Sequence, residues 1–446
     1  MHVNEPARTI PVVQDVDICV VGGSCTGVFA AVRAARLGAS VAVVEKQNCF
    51  GGMATAGFVN IWHSLYDEPT QKQIIAGMTV EMLDRMAARG AVAKVGGNCH
   101  CFNSEELKIE LDDAVLSHGI TAYLHTYYAA PFVEDGVLKG IVVENKNGRQ
   151  AIAAGVVIDA TGDGDVARAL GCESYLDESL QPPTPCCKLF GMESLGDWNW
   201  EEAVNEHGAE FGLPEDWGWH CAVPGVPGLE MHADTHVFDV NASDATQLTA
   251  AEMEGRRQIR AILDVIRTYG PAEANVGLAG LAASIGIRET DRIQAAYRLT
   301  GEDVLNGTAF DDAIAFGSYR VDIHHSDGPG ITFRYLNGKE RIIPRRGGEP
   351  QVGRWREQTP TNPTYYQVPY RCLLQDRYPN LLLAGRMLDA DKTAFSAVRV
   401  MVNMNQTGEA AGVAAWLSLD SGTTVQDVDV QKVRSILEDG GSIIPQ

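Results

Sequence analysis

The stretch from Val16 to Glu45, VDICVVGGSCTGVFAAVRAARLGASVAVVE, decides the fold. Its first six residues are mostly apolar and β-branched, which is typical of a buried parallel strand. Residues 26–37 have helical periodicity, with alanine and valine facing inward, and Gly38 follows as a C-terminal cap. Residues 40–44 form a second β-rich run. The pattern predicts a strand, a helix and a second strand parallel to the first.

The turn between the first strand and the helix is GGSCTG, residues 22–27. Gly22 permits a tight turn, Gly27 lets the helix pack close to the sheet, and the free N–H groups at the helix start bind a pyrophosphate. Glu45 lies 23 residues after Gly22 and would accept hydrogen bonds from a ribose. Ser24 replaces the usual middle glycine, and its small hydroxyl can donate to phosphate. The unit therefore predicts dinucleotide binding by Gly22, Gly23, Ser24, Cys25, Thr26, Gly27, Glu45 and Lys46.

Three later segments separate FAD from NAD, which share the ADP moiety. GGMAT, residues 51–55, allows a second close backbone approach to a diphosphate, which a nicotinamide dehydrogenase does not need. A buried strand at 155–158 runs into DATGDGD, residues 159–165, and places small residues against the dinucleotide. A short strand at 381–384 leads to Gly-Arg and then to a helix at 399–417, whose N-terminus would direct its positive dipole at a ligand. Together these segments favour FAD.

The chain resembles the FAD-dependent oxidoreductase family related to the fumarate reductase and succinate dehydrogenase flavoproteins. The motifs that carry the resemblance are VVGGSCTG with Glu45, GGMAT, DATGDGD, and LLLAGR followed by VMVNMNQTGEAAG. The resemblance implies an α/β fold: a Rossmann-like FAD-binding domain, with a parallel sheet and a β-meander, plus an inserted α+β substrate or cap domain. The residues around His63, NIWHSLYD, do not match the motif for covalent flavin attachment, so we expect non-covalent FAD.

The resemblance also implies a division of the chain. Residues 1–60, 104–185 and 365–446 would build a discontinuous FAD-binding domain, and 190–360 a substrate or cap domain, to which 61–103 could contribute. Arg399, Val400 and Met401 would lie beside the flavin ring. The further cofactor contacts that we expect are Gly51, Gly52, Met53, Thr55, Tyr128, Ala160, Thr161, Gly162, Gly385 and Arg386.

Candidates for substrate chemistry lie in the presumed cap. His324 and His325 belong to the strand-like run YRVDIHHSDGPG and point to opposite faces, so at most one should face the flavin. A neutral imidazole, with an ordinary pKa of about 6.5, can remove an alcohol proton. Arg288 and Glu289 form the other candidate, a charged pair that either clamps a polar substrate or ties the cap together. The catalytic candidates are therefore His324, His325 and Arg288.

Charge and composition exclude several classes of protein. The chain has 446 residues, with 36 Lys and Arg against 58 Asp and Glu, so its formal charge of −22 argues against nucleic acid and against an anionic membrane surface. No run of 18 apolar residues is present, and we expect no secretory signal. The ten cysteines lack disulfide-scaffold and zinc-ribbon spacing. We expect a cytoplasmic protein with reduced thiols and no metal site.

These observations predict an FAD-dependent oxidoreductase, either a dehydrogenase or an oxidase, that moves hydride between flavin N5 and a small polar metabolite. Oxidation of an alcohol or sugar-like carbon is favoured by the tandem histidines, while the family resemblance favours reduction of a fumarate-type alkene. A non-catalytic FAD-fold binding or escort protein and a plain NAD dehydrogenase are two further hypotheses. The substrate, the electron acceptor and a homo-oligomeric state stay open.

Overall fold

The computed structural model describes residues 2–3 and 5–444. Within them the strands are β1 (Val12–Val21), β2 (Val41–Val44), β3 (Ile61–Trp62), β4 (Tyr66–Asp67), β5 (Lys72–Gln73), β6 (Val92–Val95), β7 (Cys99–Phe102), β8 (Thr121–Tyr123), β9 (Tyr127–Glu134), β10 (Val137–Asn145), β11 (Gly148–Asp159), β12 (Ser174–Tyr175), β13 (Cys187–Phe190), β14 (Trp219–Ala222), β15 (Leu229–Ala233), β16 (Gly277–Leu281), β17 (Arg292–Ile293), β18 (Ala313–Gly317), β19 (Val321–His324), β20 (Ile331–Arg334), β21 (Lys339–Ile343), β22 (Gln351–Arg354), β23 (Tyr366–Pro369) and β24 (Leu381–Leu383). The helices are α1 (Cys25–Arg36), α2 (Met78–Ala88), α3 (Ser104–Ser117), α4 (Asp165–Ala169), α5 (Trp200–His207), α6 (Ala245–Tyr269), α7 (Gly301–Asn306), α8 (Lys392–Val398), α9 (Met401–Ser421) and α10 (Val430–Asp439).

A seven-stranded sheet forms the base of the molecule, in the order β8-β2-β1-β11-β10-β9, with β24 also paired to β11. The strands β8, β2, β1, β11 and β24 are parallel. The strands β9, β10 and β11 form the antiparallel meander. All four residues of β2 are buried, as expected of a parallel strand covered on both faces. The predicted α/β fold with a parallel sheet and a β-meander is confirmed.

Helix α9 crosses α1 at very short range. A Cβ atom at Gly408 would lie 2.1 Å from the carbonyl oxygen of Thr26, and one at Gly412 would lie 2.2 Å from that of Ala30, so both positions need glycine. A buried ion pair between Arg33 and Glu409, 2.6 Å apart, joins the two helices further along. Because these contacts hold α9 against α1, they also set where the N-terminus of α9 lies.

Residues 187–354 build two antiparallel sheets. One has the order β14-β15-β13-β16, and another has the order β19-β20-β21-β22. Helices α5 and α6 pack against each other beside the first of these sheets. The insertion therefore mixes helices with antiparallel strands, while the domain boundaries stay a prediction. No helix within the described part of the chain is long and apolar enough to cross a membrane.

Two element boundaries differ from the predicted ones. The helix expected at 399–417 begins at Met401, since Arg399 ends α8 and Val400 is extended. The strand expected at 155–158 is the end of the longer β11.

Candidate functional site

A cavity of about 830 Å³ lies at the carboxyl ends of β1, β2, β11 and β24. This is the edge where doubly wound sheets bind their ligands, and the volume lies within the roughly 300–1,000 Å³ of ligand sites. The loops after these four strands bring together the turn at 22–26, Glu45, residues 160–162 and residues 385–386. Segments far apart in sequence therefore form one wall, which we call the cradle.

Glu45 is buried at the end of β2 and faces the cavity. Its Oε2 accepts a hydrogen bond from the Gly23 N–H at 2.8 Å, and its Oε1 accepts one from the Gln47 N–H at 2.8 Å. A carboxylate has about four acceptor positions, so this side chain can shape the turn and still accept from ribose hydroxyls.

The turn before α1 requires glycine at two positions. Gly22 has a φ of +102°, and a Cβ there would lie 2.3 Å from the Ala160 carbonyl oxygen. A Cβ at Gly27 would lie 1.9 Å from the Gly22 carbonyl oxygen and 3.3 Å from the Ala160 Cβ, so the turn and the residue that follows β11 both exclude a side chain there. Ser24 is the N-cap of α1, and its Oγ accepts from the Gly27 N–H at 3.4 Å.

The break between α8 and α9 forms the other end of the cradle. Val400 is the N-cap of α9 with φ −67° and ψ 146°, and no side chain caps this end. Val400, Met401, Met404 and Asn405 all line the cavity. The free N–H groups and positive dipole of a 21-residue helix therefore face the space where negative charge would develop on a reduced flavin. Glu45, the α1 turn and this uncapped helix start fit FAD.

Most of the predicted cofactor contacts line the cavity. They are Gly22, Ser24, Cys25, Thr26, Glu45, Lys46, Gly51, Gly52, Met53, Ala160, Thr161, Gly162, Gly385, Arg386, Arg399, Val400 and Met401. Arg386 is held in place by Asp163 and Thr290, and Thr290 in turn donates to Asp163 at 2.7 Å. This network ties the loop after β11 to the loop after β24.

Four predicted cofactor contacts do not line the cavity. The Gly23 N–H is used by Glu45, and a Cβ there would meet the Phe50 ring. Gly27 is enclosed by the turn, and Thr55 is fully buried, where it donates to the Phe50 carbonyl oxygen. Tyr127 and Tyr128 are neighbours in β9, so their side chains point to opposite faces of the strand. Tyr127 lines the cavity, whereas Tyr128 packs against the hydrophobic core on the other face.

Only one of the tandem histidines faces the cavity. His324 ends β19 and lines it, whereas His325 points away, with its Nε2 2.9 Å from Thr332 Oγ1. Burial, with the positive charges of Arg288 and Arg399 nearby, holds the pKa of His324 well below its usual range. The expected imidazole pKa of about 6.5 is therefore wrong for this residue, which is neutral at physiological pH.

Arg288 also lines the cavity, but not as a partner of Glu289. Its guanidinium donates to the Pro182 carbonyl oxygen at 2.8 Å and to Thr184 Oγ1. Glu289 is buried on the other side of the segment, where it pairs with Arg292 and Lys392. Arg288 and Glu289 therefore do not act as a pair, because the two side chains point in different directions: Glu289 ties segments together, as one of the two hypotheses expected, while Arg288 remains a candidate for substrate binding.

Arg320 is the most informative residue that sequence reasoning missed. It lines the cavity, and among the described residues it has no hydrogen-bond or ion-pair partner. Its guanidinium lies over the ring of Phe333 at 4.1 Å and that of Tyr319 at 4.9 Å. Arg320 and Asp322 precede His324 at intervals of two, so strand alternation would have placed all three on one face.

Other buried polar groups surround this strand. His63 lies 4.1 Å from the Tyr319 ring, and burial together with Arg320 lowers its pKa to about 3. Asp322 accepts from Tyr319 Oη at 2.5 Å and lies 3.3 Å from His324 Nε2. No local motif marks His63 or Tyr319. Together with Arg288 and Arg399, the side chains of His63, Tyr319, Arg320, Asp322 and His324 form a second wall of the cavity, which we call the substrate wall.

The fold and the cradle are those of an FAD-binding flavoprotein. Residues 17–437 match the family described as FAD dependent oxidoreductase, and the chain belongs to that family. It is therefore an FAD-dependent enzyme. The narrower relation to fumarate reductase and succinate dehydrogenase flavoproteins stays a prediction. No curated protein sequence matches the chain.

Several solved structures resemble the chain at low sequence identity. A geranylgeranyl bacteriochlorophyll reductase-like protein from Thermoplasma acidophilum is 12% identical with a TM-score of 0.47, covering 96% of this chain and 84% of its own. The myxobacterial chondrochloren halogenase CndH is 13% identical with a TM-score of 0.45, covering 96% and 79%. The p-nitrophenol 4-monooxygenase PnpA from Pseudomonas putida is 10% identical with a TM-score of 0.44, covering 96% and 84%.

Proposed function

We propose that this enzyme oxidises the alcohol carbon of a small hydroxy acid and passes the hydride to FAD. The observation that carries the proposal is Arg320, whose guanidinium lines the cavity and whose buried Nε has no hydrogen-bond partner among the described residues. Asp322 and Glu68 act on it electrostatically, but neither forms an ion pair with it within 4 Å. A planar guanidinium binds a carboxylate through two parallel hydrogen bonds, which supply both affinity and orientation. A carboxylate-bearing substrate is the ligand that would satisfy the unused hydrogen-bond donors of this guanidinium.

The surrounding charges favour an anion as well. Burial, together with the nearby positive charge of Arg399, lowers the pKa of Arg288 to about 10. Asp322 is the acid that lies beside Arg399, at 3.7 Å, and it already accepts from Tyr319. A substrate carboxylate would relieve repulsion between these cations.

His324 supplies the base. Its neutral imidazole is able to take the hydroxyl proton of the substrate while the carbinol carbon loses a hydride, leaving an oxo acid. When bound, FAD supplies the hydride acceptor. A substrate carboxylate would offset Arg288 and Arg399, two of the charges that lower the pKa of His324, and would thereby strengthen the base in the complex.

Reduction of an unsaturated acid is the second candidate, because the same arginines would hold its carboxylate. The test is anaerobic mixing of the purified holoenzyme with a panel of hydroxy acids and neutral polyols, followed by the visible flavin band. Bleaching by hydroxy acids alone is the expected result. Bleaching by neutral polyols alone would overturn the anionic substrate.

The reverse experiment separates the two reactions. Photoreduced enzyme is mixed anaerobically with unsaturated acids, and recovery of the flavin band without any bleaching by hydroxy acids would favour alkene reduction. Admitting oxygen to substrate-bleached enzyme then distinguishes an oxidase, which recovers colour at once, from a dehydrogenase.

A further inference from the structure

A cluster of ligand-type side chains lies on the face of the β14–β15 pair that points away from the FAD cavity. Trp219 and Ala233 line the cavity, so their neighbours His220, His232 and Asp234 face the other side. His220 and His232 are directly paired across the two strands, with ring centroids 5.1 Å apart. The register therefore builds the cluster from adjacent strands of one sheet.

The distances within the cluster resemble those between ligands of one ion. The candidate ligand atoms of His220, His232 and Asp234 all lie within 4.8 Å of one another. Asp234 Oδ1 lies 3.7 Å from His220 Nδ1, too far for a hydrogen bond. Two ligands about 2.0–2.1 Å from zinc at tetrahedral angles lie roughly 3.4 Å apart.

Asp234 supplies a second, independent indication of a ligand. Its side chain is 3% exposed, and its Oδ1 has no hydrogen-bond partner among the described residues. An unpartnered carboxylate oxygen at a buried position is costly unless a cation or donor satisfies it. Its other oxygen, Oδ2, is satisfied by His232 Nδ1 at 2.6 Å.

We propose that His220, His232 and Asp234 bind one divalent transition-metal ion, with zinc as the reference. Two imidazoles and one carboxylate are a ligand set that suits zinc and its neighbours. The His220 side chain is 35% exposed, so the ion has a path of entry and an open coordination position for water. The ion would satisfy the unpartnered Oδ1 of Asp234 and tie β14 to β15.

Two charged neighbours shape the site. Glu230 Oε2 lies 3.4 Å from His232 Nε2, where it orients the ring as an outer partner. Arg346 donates to the Asp234 carbonyl oxygen, and its positive charge opposes a cation. The sequence predicts no metal site, because its cysteine spacing indicates none, whereas this cluster depends on strand register.

The experiment uses untagged full-length protein that has been treated with a chelator and dialysed. Co²⁺ is titrated alone, and its binding is followed by visible absorption at wavelengths longer than the flavin bands. Zn²⁺ binding is measured separately by calorimetric titration. One equivalent of each metal per chain is the expected result. Absence of stoichiometric binding by the parent protein overturns the proposal and leaves a His–Asp hydrogen-bonded pair.

Variants show whether the bound metal occupies this cluster. His220→Gln removes a partly exposed ligand and should abolish the binding of one metal equivalent per chain. The FAD content and the unfolding temperature of the metal-free protein should stay at parental values. His207→Gln is the matched control, because His207 stacks on Tyr269 outside the cluster. Equal binding by the parent and His220→Gln overturns the assignment, and so does loss of binding in the control alone. A metal-dependent rise in unfolding temperature should be present in the parent and absent in His220→Gln.

Discussion

The cradle and the substrate wall face the same cavity, but they are built in different ways. The cradle presents mainly backbone: glycine turns, two helix starts and one carboxylate. The substrate wall presents side chains, above all Arg320, His324 and Arg288. Recognition by backbone demands small residues at fixed spacing and so leaves a local motif, whereas recognition by side chains is assembled from distant segments and leaves none.

The residues of the cradle could be predicted from the sequence more completely than those of the substrate wall. Gly22, Glu45 and the start of α9 could be predicted because strand, turn and helix chemistry constrain each of them within a few neighbouring residues. His63 and Tyr319 could not, since only tertiary packing brings their rings together. Strand alternation would have found Arg320 and Asp322 from His324, while the lack of an ionic partner for Arg320 among the described residues is visible only in three dimensions.

The largest effect is expected at His324, the proposed proton acceptor in the substrate wall. His324→Gln should lower the rate of flavin reduction by about 10²–10⁴-fold with FAD still bound, because it removes the proton acceptor. His325→Gln is the matched control and should keep the parental rate, since His325 faces Thr332. Stopped-flow reduction measures both, and equal rates in the two variants would place the base elsewhere.

The pH dependence of flavin reduction also tests His324 as the base. The pKa of His324 is lowered, so its neutral, active form predominates at every pH above that lowered value. At limiting substrate, where the rate reports the free enzyme, the parental reduction rate should therefore stay flat from about pH 6 to 8 and fall only in more acidic solution. A decline centred near an ordinary imidazole pKa would contradict the burial of the base.

The next effect concerns the unpaired arginine. Arg320→Met should raise the half-saturating hydroxy acid concentration by roughly 10²-fold, because it removes two charge-assisted hydrogen bonds while retaining a long apolar chain. Arg334→Met provides a control, because Arg334 pairs with Glu340 outside the cavity. Equal weakening in both variants would show a general charge effect instead of direct contact.

A smaller effect is expected in the cradle, where many backbone contacts share the binding of FAD. Glu45→Ala should weaken FAD affinity about 10–100-fold, through loss of one or two hydrogen bonds to the ribose and of the acceptor that holds the Gly23 N–H. Glu45→Gln keeps one carbonyl oxygen and should lose less. Fluorescence titration of the apoprotein with FAD tests this, and parental affinity in Glu45→Ala would remove Glu45 from the cofactor site.

The smallest effect is expected at Ser24. Ser24→Gly should change FAD affinity by no more than a few-fold, because glycine is nearly as good an N-cap as serine. Ser24→Val should weaken it about 10-fold, since valine loses the cap and brings a branched side chain towards the diphosphate. Equal affinity in the two variants, measured by the same titration, would show that the turn does not approach the cofactor.

The division of the cavity into a cofactor-binding cradle and an anion-binding wall is tested most directly by a matched pair of substrates. The holoenzyme is titrated anaerobically with 2-hydroxy acids and with the corresponding primary amides, and loss of the visible flavin band is recorded. The account predicts that an acid bleaches the flavin at concentrations roughly 10²-fold below those of its amide, and that Arg320→Met removes most of that difference. Equal bleaching by acid and amide in the parent enzyme would contradict it.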